Sequence, residues 1–255
     1  MSEDYSEILK DEMRPSLKIS ITAIMTVLVC VVTMMISVYL PTTYGFFNIG
    51  ESMVYVSAIL FGPYVGGISG GVGSMLADLF LGYAIYAPGT LIIKGIEGFM
   101  VGYFYYKMKK LEFSQNQWRI LTMIYAFIIN LLVIVIGYIF YLGTAEIGIF
   151  YFVFESEVYL IMWVLIGIIG FVSIVIIGYK FRQDVSLKII AMLIGGLIIV
   201  SGYLLYATFI LQNAAAYTEI PFNFLQCFIG ILISIPTISA LEKYSGVIAF
   251  IEQRK

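Results

Sequence analysis

Five stretches of this 255-residue chain run for more than twenty residues with almost no charge: Leu17–Leu40, Arg119–Leu142, Val158–Tyr179, Leu187–Leu211 and Pro221–Leu241. The hydrocarbon core of a bilayer is crossed by a helix of about 20 apolar residues. Lipid offers no partners for free backbone groups, so a spanning segment must satisfy its own hydrogen bonds as a helix. The chain is therefore expected to be an all-α polytopic membrane protein. Thr90–Tyr106 is shorter but continues the pattern. Glu51–Tyr83 reads either as two short helices broken at Gly62-Pro63 or as a re-entrant hairpin. Charged residues make up 12% of the chain, where a soluble domain carries about 25%.

The same composition excludes several chemistries. Fourteen Lys and Arg stand against sixteen Asp and Glu, which leaves no basic face for nucleic acid. Histidine is absent, which excludes a Ser-His triad and most catalytic zinc sites. No metal-ligand spacing is present, and no cofactor is expected. There is no Gly-Lys pair, hence no P-loop and no ATP hydrolysis by this chain. Cys30 and Cys227 each sit alone in an apolar run and read as small packing residues. The first fifteen residues are polar and acid-rich, unlike a cleavable signal peptide.

Positive charge sets the expected orientation. With eight helices and both termini cytoplasmic, the inner segments hold Lys10, Arg14, Lys18, Lys107, Lys109, Lys110, Arg119, Lys180, Arg182, Lys188, Lys243, Arg254 and Lys255. Only Lys94 falls elsewhere, inside a helix. The outer loops carry Glu51, Glu146, Glu155, Glu157 and Glu219 instead. Gly66/Gly70, Gly67/Gly71 and Gly98/Gly102 are small-xxx-small pairs, which let helix backbones approach closely in lipid.

Ionisable groups at membrane depth need a reason. Asp78 and Lys94 each lie five residues inside an outer helix end, roughly 7 Å deep. Matching depth on neighbouring antiparallel helices predicts a structural ion pair between them. Glu97 follows Lys94 at i+3 and can share it. Asn223 and Gln226 lie i, i+3 on the last helix, and Tyr203 and Tyr206 lie i, i+3 on the seventh. Glu51 opens the second helix, where an acid suits the helix dipole, just after the aromatic run Tyr44-Gly45-Phe46-Phe47-Asn48. The polar groups thus gather in the outer third. That one-sided distribution predicts an outward-facing chamber for a flat, hydrogen-bonding ligand rather than a conduction path.

Several of these stretches resemble the substrate-binding S component of energy-coupling factor (ECF) vitamin transporters. They are Phe47-Asn48-Ile49-Gly50-Glu51, Leu60-Phe61-Gly62-Pro63, the glycine-rich run Gly70 to Leu79, Tyr86 to Gly98, Gly195 to Tyr206 and Glu219 to Gln226. The resemblance covers residues 16–106 and 187–241. It implies a six-helix core that captures a vitamin or precursor, docks on a membrane coupling subunit driven by cytosolic ATPases, and works in the plasma membrane. It further implies a lid at Thr42–Gly50 and a substrate site drawn from Asn48, Glu51, Glu97, Tyr203, Tyr206, Glu219, Asn223 and Gln226. Ala23 and Val27 stand nearest the family's docking pattern on the first helix. Residues 107–182 then read as an inserted transmembrane hairpin. The expected organisation is a tail at 1–15, core helices at 16–106, the hairpin at 107–182, and the last core helices with a short tail at 183–255.

Two other functions compete. A stand-alone proton-coupled transporter using Glu97 and Asp78 would be expected to show an internal repeat, and none is visible between the halves. An intramembrane enzyme lacks any catalytic constellation in the sequence.

Overall fold

A computed structural model describes residues 15–40, 45–111, 114–140, 143–149, 152–180 and 183–243. The tail before Pro15, Thr42–Tyr44 of the expected lid, Arg182 and the last twelve residues lie outside this set. Among the described residues eight α-helices follow in chain order: α1 (Pro15–Met35), α2 (Glu51–Phe61), α3 (Pro63–Leu81), α4 (Ala87–Lys109), α5 (Gln115–Phe140), α6 (Leu160–Lys180), α7 (Gln183–Leu205) and α8 (Ile220–Lys243). Two β-hairpins, β1 (Ser37–Leu40) with β2 (Gly45–Asn48) and β3 (Gly143–Ile149) with β4 (Phe152–Val158), interrupt the helical pattern. Five helical segments among the described residues are long and apolar enough to cross a membrane. At 23 residues α4 is long enough too, but Lys94 and Glu97 lower its hydropathy.

The chain divides into two compact units, one formed by Met1–Lys110 with Leu187–Lys255 and the other by Leu111–Ser186. In the second unit α5 packs on α6, and β3 pairs antiparallel with β4 in a register that sets Glu146 opposite Glu155. Asn130 of α5 turns its amide back to the Ala126 carbonyl at 2.8 Å and packs against Gly170.

In the first unit, α2 is the central element. Eight of its eleven residues are buried, and it touches α1, α3, α4 and α8. Because α2 is so short, its last carbonyls end inside the protein, where free acceptors are costly. The Tyr106 hydroxyl resolves this by donating toward Ile59 and Leu60 oxygens at 3.0 and 3.2 Å. Gly62 separates α2 from α3 at φ +91°, a conformation that a Cβ would oppose, and Pro63 starts α3 where its missing N–H costs nothing. The Gly62-Pro63 break thus yields two helices.

The glycines of α3 face α4. A Cβ at Gly71 would meet the Leu91 carbonyl oxygen at 2.6 Å, and one at Gly70 the Lys94 oxygen at 2.9 Å. The small-residue pairs therefore pack backbone on backbone. Large apolar side chains of α1, among them Ile19, Ile24, Val27, Val31 and Met35, remain exposed, as expected of a surface whose solvent is lipid.

Two apolar runs end differently from the sequence expectation. Leu17–Leu40 is not one helix: it stops at Met35, and Ser37–Leu40 becomes β1, with Val38 opposite Phe47 and Tyr39 opposite Phe46. A β-branched residue and an aromatic next to an aromatic partner strand favour the pleat, and hydropathy alone does not separate these states. Leu187–Leu211 likewise starts earlier, at Gln183, and changes at Leu205 into a π-helical turn, Tyr206–Ile210.

Candidate functional site

The β1–β2 hairpin, the start of α4 and the start of α8 meet at one end of the first unit and enclose a small cavity. Its walls are Gly45, Phe46, Phe47 and Asn48 from β2, Asp78 from α3, Tyr86 and Thr90 beside and in α4, Tyr203 from α7, and Glu219, Phe222, Asn223 and Gln226 at α8. The enclosed volume is about 40 Å³, room for little more than water. A pocket holding a drug-sized ligand runs to about 300–1,000 Å³. The cleft is therefore too small for such a ligand, and strand β2 forms one of its walls.

Hydrogen bonds hold the hairpin down. The Asn48 side-chain oxygen accepts from Gly50 N–H at 2.9 Å, a local turn that feeds directly into α2. The Asn48 N–H itself donates to Gln226 Oε1 at 3.2 Å. Gln226 Nε2 then donates to Glu51 Oε1 at 3.0 Å. Glu51 is ion-paired with Lys94, and Lys94 Nζ also lies 3.6 Å from Glu97 Oε2. All three charged side chains are buried. The Lys94 ammonium sits 5.8 Å from the Tyr203 ring centroid, which is an acceptor for a cation through its π face.

The predicted Asp78–Lys94 pair is corrected here. Lys94 goes to Glu51 and Glu97, while Asp78 is met by Thr90, one helical turn away from Lys94 on α4. Equal depth did not imply contact, because depth leaves the direction around each helix undefined. The Tyr203 hydroxyl donates to Thr90 Oγ1 at 3.0 Å, so an ordered chain runs from Tyr203 through Thr90 to Asp78. Asp78 Oδ2 and Asn223 Nδ2 have no hydrogen-bond partner among the described residues.

Of the eight residues expected to bind substrate, Asn48, Tyr203, Glu219, Asn223 and Gln226 line the cavity. Glu51 and Glu97 do not line it; they lie behind Gln226 in the buried network. Tyr206 does not line it either. Its hydroxyl donates to the Ile85 carbonyl at 2.8 Å, and its ring lies where a Cβ on Gly89 would stand, so it pins the α3–α4 turn. Asp78, Tyr86, Thr90 and Phe222 were not anticipated as wall residues. Tyr86 anchors Glu219 by donating to its Oε1 at 3.1 Å, a bond between residues 133 positions apart that periodicity could not supply. Cys227 is buried against Gly196 and accepts from the Tyr55 hydroxyl at 3.3 Å. Both cysteines are free.

Ala23 and Val27, the expected docking residues, are exposed and line an apolar groove of about 660 Å³ between α1 and α3. Tyr64 and Ile68 form its other wall, and Lys18 lies over the Tyr64 ring.

A family model described as the ECF-type riboflavin transporter, S component, matches residues 15–183. The chain belongs to this family. Members are membrane-embedded transporter subunits rather than enzymes, which agrees with the spanning helices. The bounds of the match differ from those of the sequence resemblance: it runs through the hairpin at 107–182 and stops before 187–241. The walls contributed by Tyr203, Glu219, Asn223 and Gln226 thus lie beyond the matched segment, and their assignment rests on packing against α2 and α4. A Pyrococcus woesei protein described as an uncharacterized protein in gap 3'region is 50% identical over 76 residues, which is 30% of this chain. The chain spans about half the length, 51%, of that curated relative.

Proposed function

We propose that this chain is the substrate-capture subunit of an ECF transporter and that its ligand is a flavin. The observation that carries this reading is the lining of the narrow cleft beside β2. Aromatic rings from Phe46, Phe47, Tyr86, Tyr203 and Phe222 surround a polar floor of Asn48, Asp78, Thr90, Asn223 and Gln226. Such walls suit a flat heterocycle, stacked on its faces and hydrogen-bonded at its edges. The positive-inside rule turns the hairpin outward and both termini to the cytoplasm. The hairpin then acts as a lid over an exterior site. The cytosolic ATPases and the coupling subunit supply the energy that this chain, with no P-loop, does not. The groove at Ala23 and Val27 is the proposed docking face for the coupling subunit.

The test is a titration of the purified protein in detergent with riboflavin, read by quenching of flavin fluorescence. Saturable quenching with one site per chain supports the reading, and its absence refutes it. Uptake into vesicles then separates the two transport modes. Uptake that needs the ATPase and coupling subunits is expected; uptake that persists without them and collapses with a proton uncoupler identifies a stand-alone transporter.

A further inference from the structure

The groove between α1 and α3 is apolar along its length and charged at one end. Ile19, Ala23 and Val27 follow one another at i+4 on α1, and Tyr64 and Ile68 face them from α3. Those steps keep the three on one side of the helix over about 12 Å of its length. Thr22 and Thr26 line the groove too, but each hydroxyl donates within its own helix, to the Lys18 and Thr22 carbonyls, at 2.7 Å. A hydroxyl has one proton to give, so neither is left to donate to an occupant. A sugar or an extended peptide laid here loses its water and gains few partners. A hydrocarbon chain loses nothing.

At the end near Pro15 the chemistry changes. Lys18 is half-buried, and its ammonium stands 5.1 Å from the Tyr64 ring centroid. It is the one ionised wall residue among the described residues, and no acid lines the groove with it. Neither α1 nor α3 carries an acid in its first turn, so the positive ends of both helix dipoles go unanswered there. The positive-inside orientation proposed above puts this end at the inner leaflet. Anionic headgroups lie at that depth, and basic pockets between helices take them. We infer that the groove holds one anionic phospholipid while the subunit is free, with its phosphate against Lys18 and an acyl chain along Ala23 and Val27. The same face is proposed above to dock the coupling subunit, so departure of this lipid becomes a step of docking.

The experiment titrates the full chain in detergent with phosphatidylglycerol or with phosphatidylcholine of the same acyl chains. Native mass spectrometry counts the lipids retained. One phosphatidylglycerol per chain is expected, in clear preference to phosphatidylcholine. Lys18→Gln is expected to cut that preference about fivefold. Lys107→Gln removes an exposed lysine of α4 that does not line the groove, and is expected to leave the preference unchanged. Ala23→Phe fills the middle of the groove and is expected to abolish retention of both lipids. No retained lipid, equal retention of the two, or an unchanged preference in Lys18→Gln overturns the inference. An equal loss in Lys107→Gln also overturns it, since the attraction then belongs to the whole inner face. So does lipid retained by a folded Ala23→Phe protein. Where Ala23→Phe fails to fold, the two lysine variants decide. None of these measurements involves a flavin, so the flavin reading stands or falls separately.

Discussion

Gln226 bridges two elements that are 175 residues apart in sequence: its Nε2 donates to Glu51 Oε1 at 3.0 Å while its Oε1 receives the Asn48 N–H of the hairpin. One amide thereby fastens strand β2 to the buried end of α2. Both of its functional groups are used, and no smaller side chain reaches both.

Replacing Gln226 by Ala frees the Asn48 N–H and leaves Glu51 without its amide donor. Flavin binding is expected to weaken by about 1–3 kcal/mol, measured by fluorescence titration. Unchanged affinity in both Gln226→Ala and Asn223→Ala would place the ligand elsewhere.

Lys94→Met should be the most damaging single change in the first unit. It leaves Glu51 and Glu97 buried without the cation they share, a loss of about 3–5 kcal/mol. Thermal unfolding in detergent reads it. The double variant Lys94→Met with Glu97→Gln removes one of the stranded charges and is expected to recover part of the loss. A single variant as stable as the parent would show that the three charges are independent.

Asp78→Ala is expected to leave thermal stability nearly unchanged and to cost ligand affinity. Reading Asp78 as the partner of Lys94 predicts the reverse order, with folding harmed first. The structure pairs Lys94 with Glu51 and Glu97, so removing Asp78 strands no cation. A large fall in unfolding temperature with intact binding would contradict this.

Gly98→Leu tests the α3–α4 contact. A Cβ at Gly98 already collides with the Gly66 backbone. The helices must separate, at about 1–3 kcal/mol or more for an overpacked position. Lower yield of folded protein in membranes is the expected readout, whereas a variant that folds and binds normally would mean that the close approach is dispensable.

The helical framework was legible because apolar length, glycine spacing and the Gly62-Pro63 break each carry a local signal. Five of the eight expected binding residues do line the cavity, for a related reason: polar groups stand out in an apolar helix. What failed was direction. Lys94 and Asp78 share a depth but not a face, and the long lysine stem reaches α2 instead. Tyr206 points at Gly89 rather than the cavity because the chain has left α-helical register at that point. The strand at Ser37–Leu40 was hidden inside an apolar run, since pairing with Gly45–Asn48 is a tertiary event. Tyr86 and Thr90 were passed over as ordinary residues, yet their hydroxyls organise Glu219 and Asp78.

The narrowness of the cleft has a kinetic corollary. A void of about 40 Å³ admits no heterocycle until the strand pair lifts, so capture becomes a two-step process whose first step knows nothing of the solute. In rapid mixing, the observed rate should climb with solute concentration and then level off at the frequency with which the Asn48–Gln226 clasp lets go. A weakened clasp would raise that plateau even as it shortens the residence time.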